Sequence, residues 1–404
     1  MNIMEYKTID ELGEIITGKT PSTSQKELWD GDTPFLTPSD YSYSDRYIHE
    51  TERSISKKGV ESQVKTYLPK DAVCVTCIGS TVGKSCMTVC PTITNQQINS
   101  IICNDNYDAH YVFYLMKYCL PFLQMYGAGT GSGLPIISKN KFGRIRLSVF
   151  ADKEYQRQIS YVLSKYDDLI DNNTKRIKIL EQMVENLYKE WFVRFRFPGY
   201  EDIELKNGIP SVWEYKRADE LIFFNPTLTV KDQEQFKIIP MDALSTTSMV
   251  INDESCYLQE KISGRRSQNG DTLLAKITPC LENGKTGFVM GLMNDEVAGG
   301  STEFIVLRSK AVNPFYVYCL ARSEYFRQTA IMSMNGADGR QRVNEDKLKA
   351  LKVICPTKDI LCKFEDVVSK IFREINILMK KNDNLKVQRD ILLPRLMSGK
   401  LQVK

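Results

Sequence analysis

At 404 residues, 42% hydrophobic and 26% charged, the chain is too long for one compact core and too apolar for disorder, so two or more globular domains are expected. A net charge of +4 allows a nucleic-acid partner without requiring one, because the clustering of basic residues decides that affinity. Met1 to Leu12 lacks the apolar stretch of a secretion signal and Tyr111 to Leu123 is interrupted by Lys117 and Pro121, which leaves no membrane span and points to the cytoplasm.

The first 150 residues read as mixed α and β. Ala72 to Ile78 has the composition of a short buried strand after an Asp turn, and Ala109 to Met125 has helical spacing. Cys74-x2-Cys77 followed by Cys86-x3-Cys90 imitates a zinc-ligand spacing. Aligning Lys70-Asp71 with Gly270-Asp271 sets Leu274 and Ile277 at the places of Cys74 and Cys77, so the thiols read as small core residues; the odd total of 11 cysteines argues against a disulfide framework. Gly79-Ser-Thr-Val-Gly83-Lys84-Ser85 is one residue short of a phosphate-binding P-loop, whose cradle of backbone amides depends on four residues between the glycines. It reads instead as a turn after a strand, with Lys84 available to a phosphate backbone. His110 has Phe315 as its counterpart in the second half and reads as a packing residue, and no pairing of a nucleophile with a histidine is visible.

From Gln158 to Phe192, alternating steps of four and three pick out Ile159, Leu163, Tyr166, Ile170, Asn173, Ile177, Leu180, Val184, Leu187 and Trp191, a heptad seam that Asn173 alone interrupts. The stretch from Phe197-Pro198-Gly199 to Asn207-Gly208-Ile209-Pro210 has the Pro and Gly density of a surface connection.

The second half repeats the first. Glu214-Tyr215-Lys216 echoes Glu5-Tyr6-Lys7, Thr272 to Ile277 reads as a strand, and Pro314 to Met332 as a helix. Asn283-Gly284-Lys285-Thr286 keeps the Gly-Lys-Thr of the earlier turn but has Pro279 where a P-loop's first glycine belongs. Asn313-Pro314-Phe315-Tyr316 resembles the Asn-Pro-Pro-Tyr of amino-methyltransferases without its second proline, and no glycine-rich fingerprint follows a strand, so no S-adenosylmethionine site is expected in this chain. Adding 205 to each seam position gives Phe364, Val368, Ile371, Ile375, Leu378, Asn382, Leu385, Arg389, Leu392 and Leu396, a second helix of the same pattern.

Two one-sided helices of this length need partners for their stripes, and each is the obvious partner of the other. An antiparallel pairing with matched ends sets Ile159 against Leu396, Trp191 against Phe364 and Asn173 against Asn382, so that the two amides fix the register. The expected fold class is α/β. Two repeated α/β domains, 1–150 and 197–356, are separated by two long helices, within 151–196 and 357–404, that form an antiparallel coiled coil.

The loops left over suit contact with double-stranded DNA. Gly127 to Pro135, with Gly131 and Ser132 at its centre, precedes Lys139 and Lys141; its counterpart runs from Asn335 to Arg340, Gln341 and Arg342. Glycines let a backbone approach a phosphate, and Arg and Gln carry donors that read base edges. Lys84, Lys285 and the paired Arg265 and Arg266 complete the candidate contacts.

Gln388-Arg-Asp-Ile-Leu-Leu-Pro394-Arg-Leu-Met-Ser-Gly-Lys400-Leu resembles the closing signature of the specificity subunits of type I restriction-modification enzymes, as do Asn207-Gly-Ile-Pro-Ser-Val-Trp213-Glu-Tyr and Leu187-Tyr-Lys-Glu-Trp-Phe192. The resemblance covers the whole chain and makes the two globules target-recognition domains. It implies a non-catalytic subunit without a cofactor of its own, binding two methylation subunits that carry S-adenosylmethionine and restriction subunits that use ATP and Mg. Two unlike globules on a stiff spacer can read two unlike half-sites, with one adenine in each flipped to a partner for N6 methylation. A helix of about 33 residues is roughly 50 Å long, more than one turn of DNA. A tether of two protein partners without DNA has the same outline, as does the subunit of a methylation-only system.

Overall fold

A computed structural model describes residues 3–128, 134–230, 234–293, 296–336 and 340–403. Two compact units emerge, Met1–Asn172 with Lys381–Lys404, and Asn173–Lys380. The division runs through both long helices rather than at their ends, because each globule buries apolar surface against helix segments of its own unit. Among the described residues no helix is long and apolar enough to cross a membrane.

In the first unit Gly13–Thr17, Ile98–Cys103, Val73–Thr76, Ser85–Thr88 and Tyr47–Ile48 form one sheet in that order, and Arg53–Ile55, Trp29–Leu36, Thr92–Thr94 and Tyr67–Leu68 form another. In the second unit the corresponding sheet is Ile222–Phe224, Phe304–Ser309, Thr272–Ala275 and Thr286–Phe288. Each globule is closed by its own first and last strands. Met4–Thr8 runs antiparallel to Arg146–Phe150, with Met4 opposite Phe150, and Glu214–Arg217 to Lys352–Cys355, with Glu214 opposite Cys355.

The helices expected over Ala109 to Met125 and Pro314 to Met332 are each two shorter helices, Ala109–Tyr118 with Leu120–Ala128, and Pro314–Arg322 with Glu324–Met332. Ser323 makes the second break by leaving helical geometry and accepting a bond from the Phe326 amide. The link between halves contains a small hairpin, Leu205–Lys206 with Ile209–Pro210, whose turn residues Asn207 and Gly208 both take the left-handed conformation that this pair of residues favours.

The first long helix runs Lys153–Tyr188 and continues as a π-turn over Lys189–Val193; the second runs Lys358–Met397. Within the first unit Ile159, Leu163 and Leu396 are buried in one core, Arg389 reaches Asp167, and Asn382 Nδ2 donates to the Ile170 carbonyl at 3.5 Å. Within the second, the Trp191 and Phe364 rings meet at 5.8 Å and Arg176 pairs with Glu374 at 3.0 Å. In both units partners descend one helix as they ascend the other, so the pairing is antiparallel, and Trp191 meets Phe364 as the matched ends require. Asn382 is buried while Asn173, in the other unit, is half-buried.

The sequence alignment of the two globules is out by one residue at the cysteines. The Asp71 amide bonds the Thr88 carbonyl as the Gly270 amide bonds that of Val289, and both residues take positive φ, 64° and 89°. The true counterparts of Cys74 and Cys77 are therefore Leu273 and Lys276, not Leu274 and Ile277. Cys74 and Cys77 are themselves buried, and Cys74 lies directly across the sheet from buried Cys86.

Candidate nucleic-acid interface

The two lysines that follow the glycine turns point inward. Lys84 is 6% exposed, and its ammonium donates to the carbonyls of Pro38 and Tyr41, at 2.5 and 2.6 Å, with the Tyr41 ring 4.7 Å away. Burial pulls its pKa below the usual lysine range. Lys285 repeats the arrangement, donating to the Met241 carbonyl at 3.1 Å with Asp242 at 3.5 Å. Each lysine thus fastens a glycine turn to a short 3-10 helix about forty residues upstream, Pro38–Asp40 or Met241–Ala243. Lys84 gives two of its three donors to backbone carbonyls, and Lys285 gives one to a backbone carbonyl and faces the Asp242 carboxylate, so both act as fasteners of the fold in place of the phosphate contact expected of them.

In the first unit Gly131 and Ser132 lie outside the described residues. The loop around them rejoins the sheet where Ile136 bridges Ile78 and the Gly79 amide donates to the Pro135 carbonyl at 2.9 Å. Lys139 and Lys141 are exposed on the short helix Lys139–Gly143, started by Ser138, whose hydroxyl accepts from the Lys141 amide.

The second unit repeats that backbone with different side chains. Arg342 bridges Ile277, and the Thr278 amide donates to the Gln341 carbonyl at 3.1 Å. Arg342 forks onto Glu303, Nε to Oε2 at 2.9 Å and Nη2 to Oε1 at 2.7 Å. These bonds, with the charges of Arg342, Lys276 and Arg265, hold the Glu303 carboxyl below the usual glutamate range against a desolvation that works the other way. Arg265 lies 3.9 Å from Glu345, which accepts from Asn225 Nδ2 at 2.8 Å. Arg340 is exposed with no side-chain partner among the described residues, and Gln341 is half-buried. Arg266 is exposed and donates to the Leu228 carbonyl at 2.8 Å.

The structure thus gathers Arg265, Lys276 and Arg342 around one carboxylate. Sequence reading missed Lys276, Glu303, Glu345 and Asn225. The structure alone matches Gln97 with Glu303 and Ile136 with Arg342, because the Cys77 amide bonds the Gln97 carbonyl as the Lys276 amide bonds that of Glu303, and the Ile78 to Ile136 bridge recurs as Ile277 to Arg342.

Asn313 and His110 both hold structure. Asn313 caps its helix by accepting from the Tyr316 amide at 2.8 Å while its Nδ2 donates to the Leu361 carbonyl. His110 Nδ1 lies 3.2 Å from Arg46 Nη2 and 3.3 Å from the Met87 sulfur, and its counterpart Phe315 stacks on Phe288 at 5.7 Å.

Residues 1–182 match the family model described as a type I restriction modification DNA specificity domain. The type I restriction enzyme MjaIX specificity subunit of Methanocaldococcus jannaschii is 28% identical over 414 residues, which span 99% of this chain and 94% of that protein. The HindI specificity subunit of Haemophilus influenzae is 42% identical over 113 residues, 28% of this chain and 24% of that protein. Among solved structures, a type I restriction-modification S subunit from M. genitalium shares the fold, with a TM-score of 0.57 over 98% of this chain and 96% of its own at 14% identity.

Proposed function

We propose that the chain is a specificity subunit of a type I restriction-modification enzyme, the non-catalytic subunit that selects the DNA site, a reading supported by the family match over residues 1–182 and by the full-length similarity to the MjaIX subunit. Each globule reads one half of a bipartite, asymmetric target. The observation that carries this reading is the contrast at one repeated strand edge, where the second unit offers the Arg342 and Glu303 fork and the first offers Ile136 and Gln97. A guanidinium fork suits a guanine edge, whereas an aliphatic side chain and an amide suit other bases, so the half-sites differ. The long helices serve as spacer and docking surface for two methylation subunits, which bring S-adenosylmethionine and methylate the N6 of a flipped adenine. Restriction subunits bring ATP and Mg. All bond making and breaking falls to those partners.

The test is binding of the purified chain with its methylation subunit to mixed-sequence duplexes across a salt series, followed by methylome sequencing of the source cells. A steep fall of affinity with salt and an asymmetric two-part methylated motif are expected. A response flat in salt, or a palindromic motif, would overturn the reading.

A further inference from the structure

We propose that Glu303 is a positioning residue for base reading, presenting Arg342 so that the second unit selects guanine at one position of its half-site; this rests on the DNA-reading function above. A guanidinium has two usable edges. Glu303 takes one, through Nε and Nη2 at 2.9 and 2.7 Å, and leaves Nη1 together with the second hydrogen of Nη2. Nη1 has no partner among the described residues, and the Arg342 side chain is half exposed, at 51%, beside a carboxylate half as exposed, at 25%. The open edge carries the two parallel donors that match O6 and N7 of guanine.

The surroundings favour a base over a phosphate as the target. A carboxylate in direct contact with the arginine repels a phosphate and leaves the hydrogen-bond fork intact. Lys276 and Arg265, whose charges act on the same carboxylate, keep the cluster positive and able to attract the duplex. Arg342 is also fixed at its backbone by the bridges to Ile277 and Asn335, so the carboxylate needs to settle only the side chain. The first unit has no such fork at the matching place, where Gln97 Oε1 accepts from Asn95 and Ile136 replaces the arginine.

The experiment selects duplexes from a randomised pool with the full chain bound to its methylation subunit, comparing the unaltered protein with Glu303→Gln, Glu303→Asp, Arg342→Ala and the Glu303→Gln/Arg342→Ala pair. Glu303→Gln and Arg342→Ala are each expected to reduce the preference for guanine at the same single position by roughly five- to a hundredfold, the worth of a two-pronged contact. The double variant should lose no more than Arg342→Ala alone, and Glu303→Asp should recover part of the preference. The first half-site and the salt slope should stay unchanged in Glu303→Gln. Selection by Glu303→Gln indistinguishable from the unaltered protein, or loss of the entire second half-site in both Glu303→Gln and Glu303→Asp, would make Glu303 purely structural and overturn the proposal. An unaltered protein that selects no sequence at all would instead defeat the DNA-reading function itself, and this inference with it.

Discussion

Arg389 donates to Asp167 at 2.6 Å with both side chains 6% exposed, an ion pair set inside the contact between the two long helices. Tyr114 donates to the other carboxylate oxygen at 2.5 Å, so the charge is surrounded as well as paired. Burial opposes the Arg389 charge, but the Asp167 carboxylate overrides it and raises the guanidinium further. Breaking the pair from one side leaves a buried charge without its buried partner: among the described residues Arg389 keeps only Asp390, at 2.9 Å and largely exposed, and Asp167 keeps only the Tyr114 hydroxyl. Asp167→Asn or Arg389→Met is expected to cost about 3–5 kcal/mol, and the combined Asp167→Leu/Arg389→Met variant much less. Urea unfolding followed by a probe in the first unit reads the difference; equal losses in single and double variants would count against it.

Lys117 gives a pH dependence. Burial first, then the charge of Arg389, brings its ammonium down to about 8, whereas an unfolded lysine titrates near 10.4. Below pH 8 the folded unit carries the full cost of the enclosed charge. Between those values the unfolded chain holds a proton that the folded one has released, so stability from this group climbs with pH across that window. Lys117→Met should stabilise the protein at pH 7 by about 2 kcal/mol, with the gain fading as pH approaches 10.4. Thermal melts at pH 7, 9 and 10.4 measure it.

Asn382 is 8% exposed, and its bond to the Ile170 carbonyl is long, at 3.5 Å. Asn382→Leu should raise stability by on the order of 1 kcal/mol, since a polar residue at a buried position of an apolar seam holds register at a cost in stability. Chemical denaturation of the variant decides the sign.

Because Lys84 is spent on Pro38 and Tyr41, Lys84→Ala should destabilise the first unit by about 1–3 kcal/mol, the cost of orphaning buried carbonyls, while leaving the salt slope of DNA binding unchanged. Arg340→Ala, which removes an exposed charge, should do the reverse: little change in stability and a slope lower by about one if that charge meets a phosphate. Titrations at four salt concentrations separate the two.

The helices were legible because ten seam positions recur at one offset, and the meeting of Trp191 with Phe364 follows from matching their ends. Arg389 was visible in the seam but its partner was not, because Asp167 lies one residue off the stripe and its third neighbour, Tyr114, belongs to a distant helix. Lys84 and Lys285 misled for a related reason. A Gly-Lys-Ser/Thr run looks like a phosphate site locally, and only the fold brings the carbonyls of Pro38 and Met241 to it. Matching Asp71 to Asp271 followed residue identity, whereas the turn conserves conformation and pairs Asp71 with Gly270. Glu303 left no local mark, being an isolated acidic residue whose meaning comes from the arginine across the sheet.

The pairing of Glu214 with Cys355 makes the second globule a closed excursion of the chain. Its entrance and exit are backbone neighbours, roughly 5 Å apart as directly opposed residues of an antiparallel pair are. A gene of this design can take in a whole foreign cassette at one doorway, because the incoming piece needs only ends that lie side by side and the rest of the chain need not move to admit it. A chimaera that carries a foreign domain between those two strands is therefore expected to fold with the remaining chain undisturbed, which its expression and thermal melt would check.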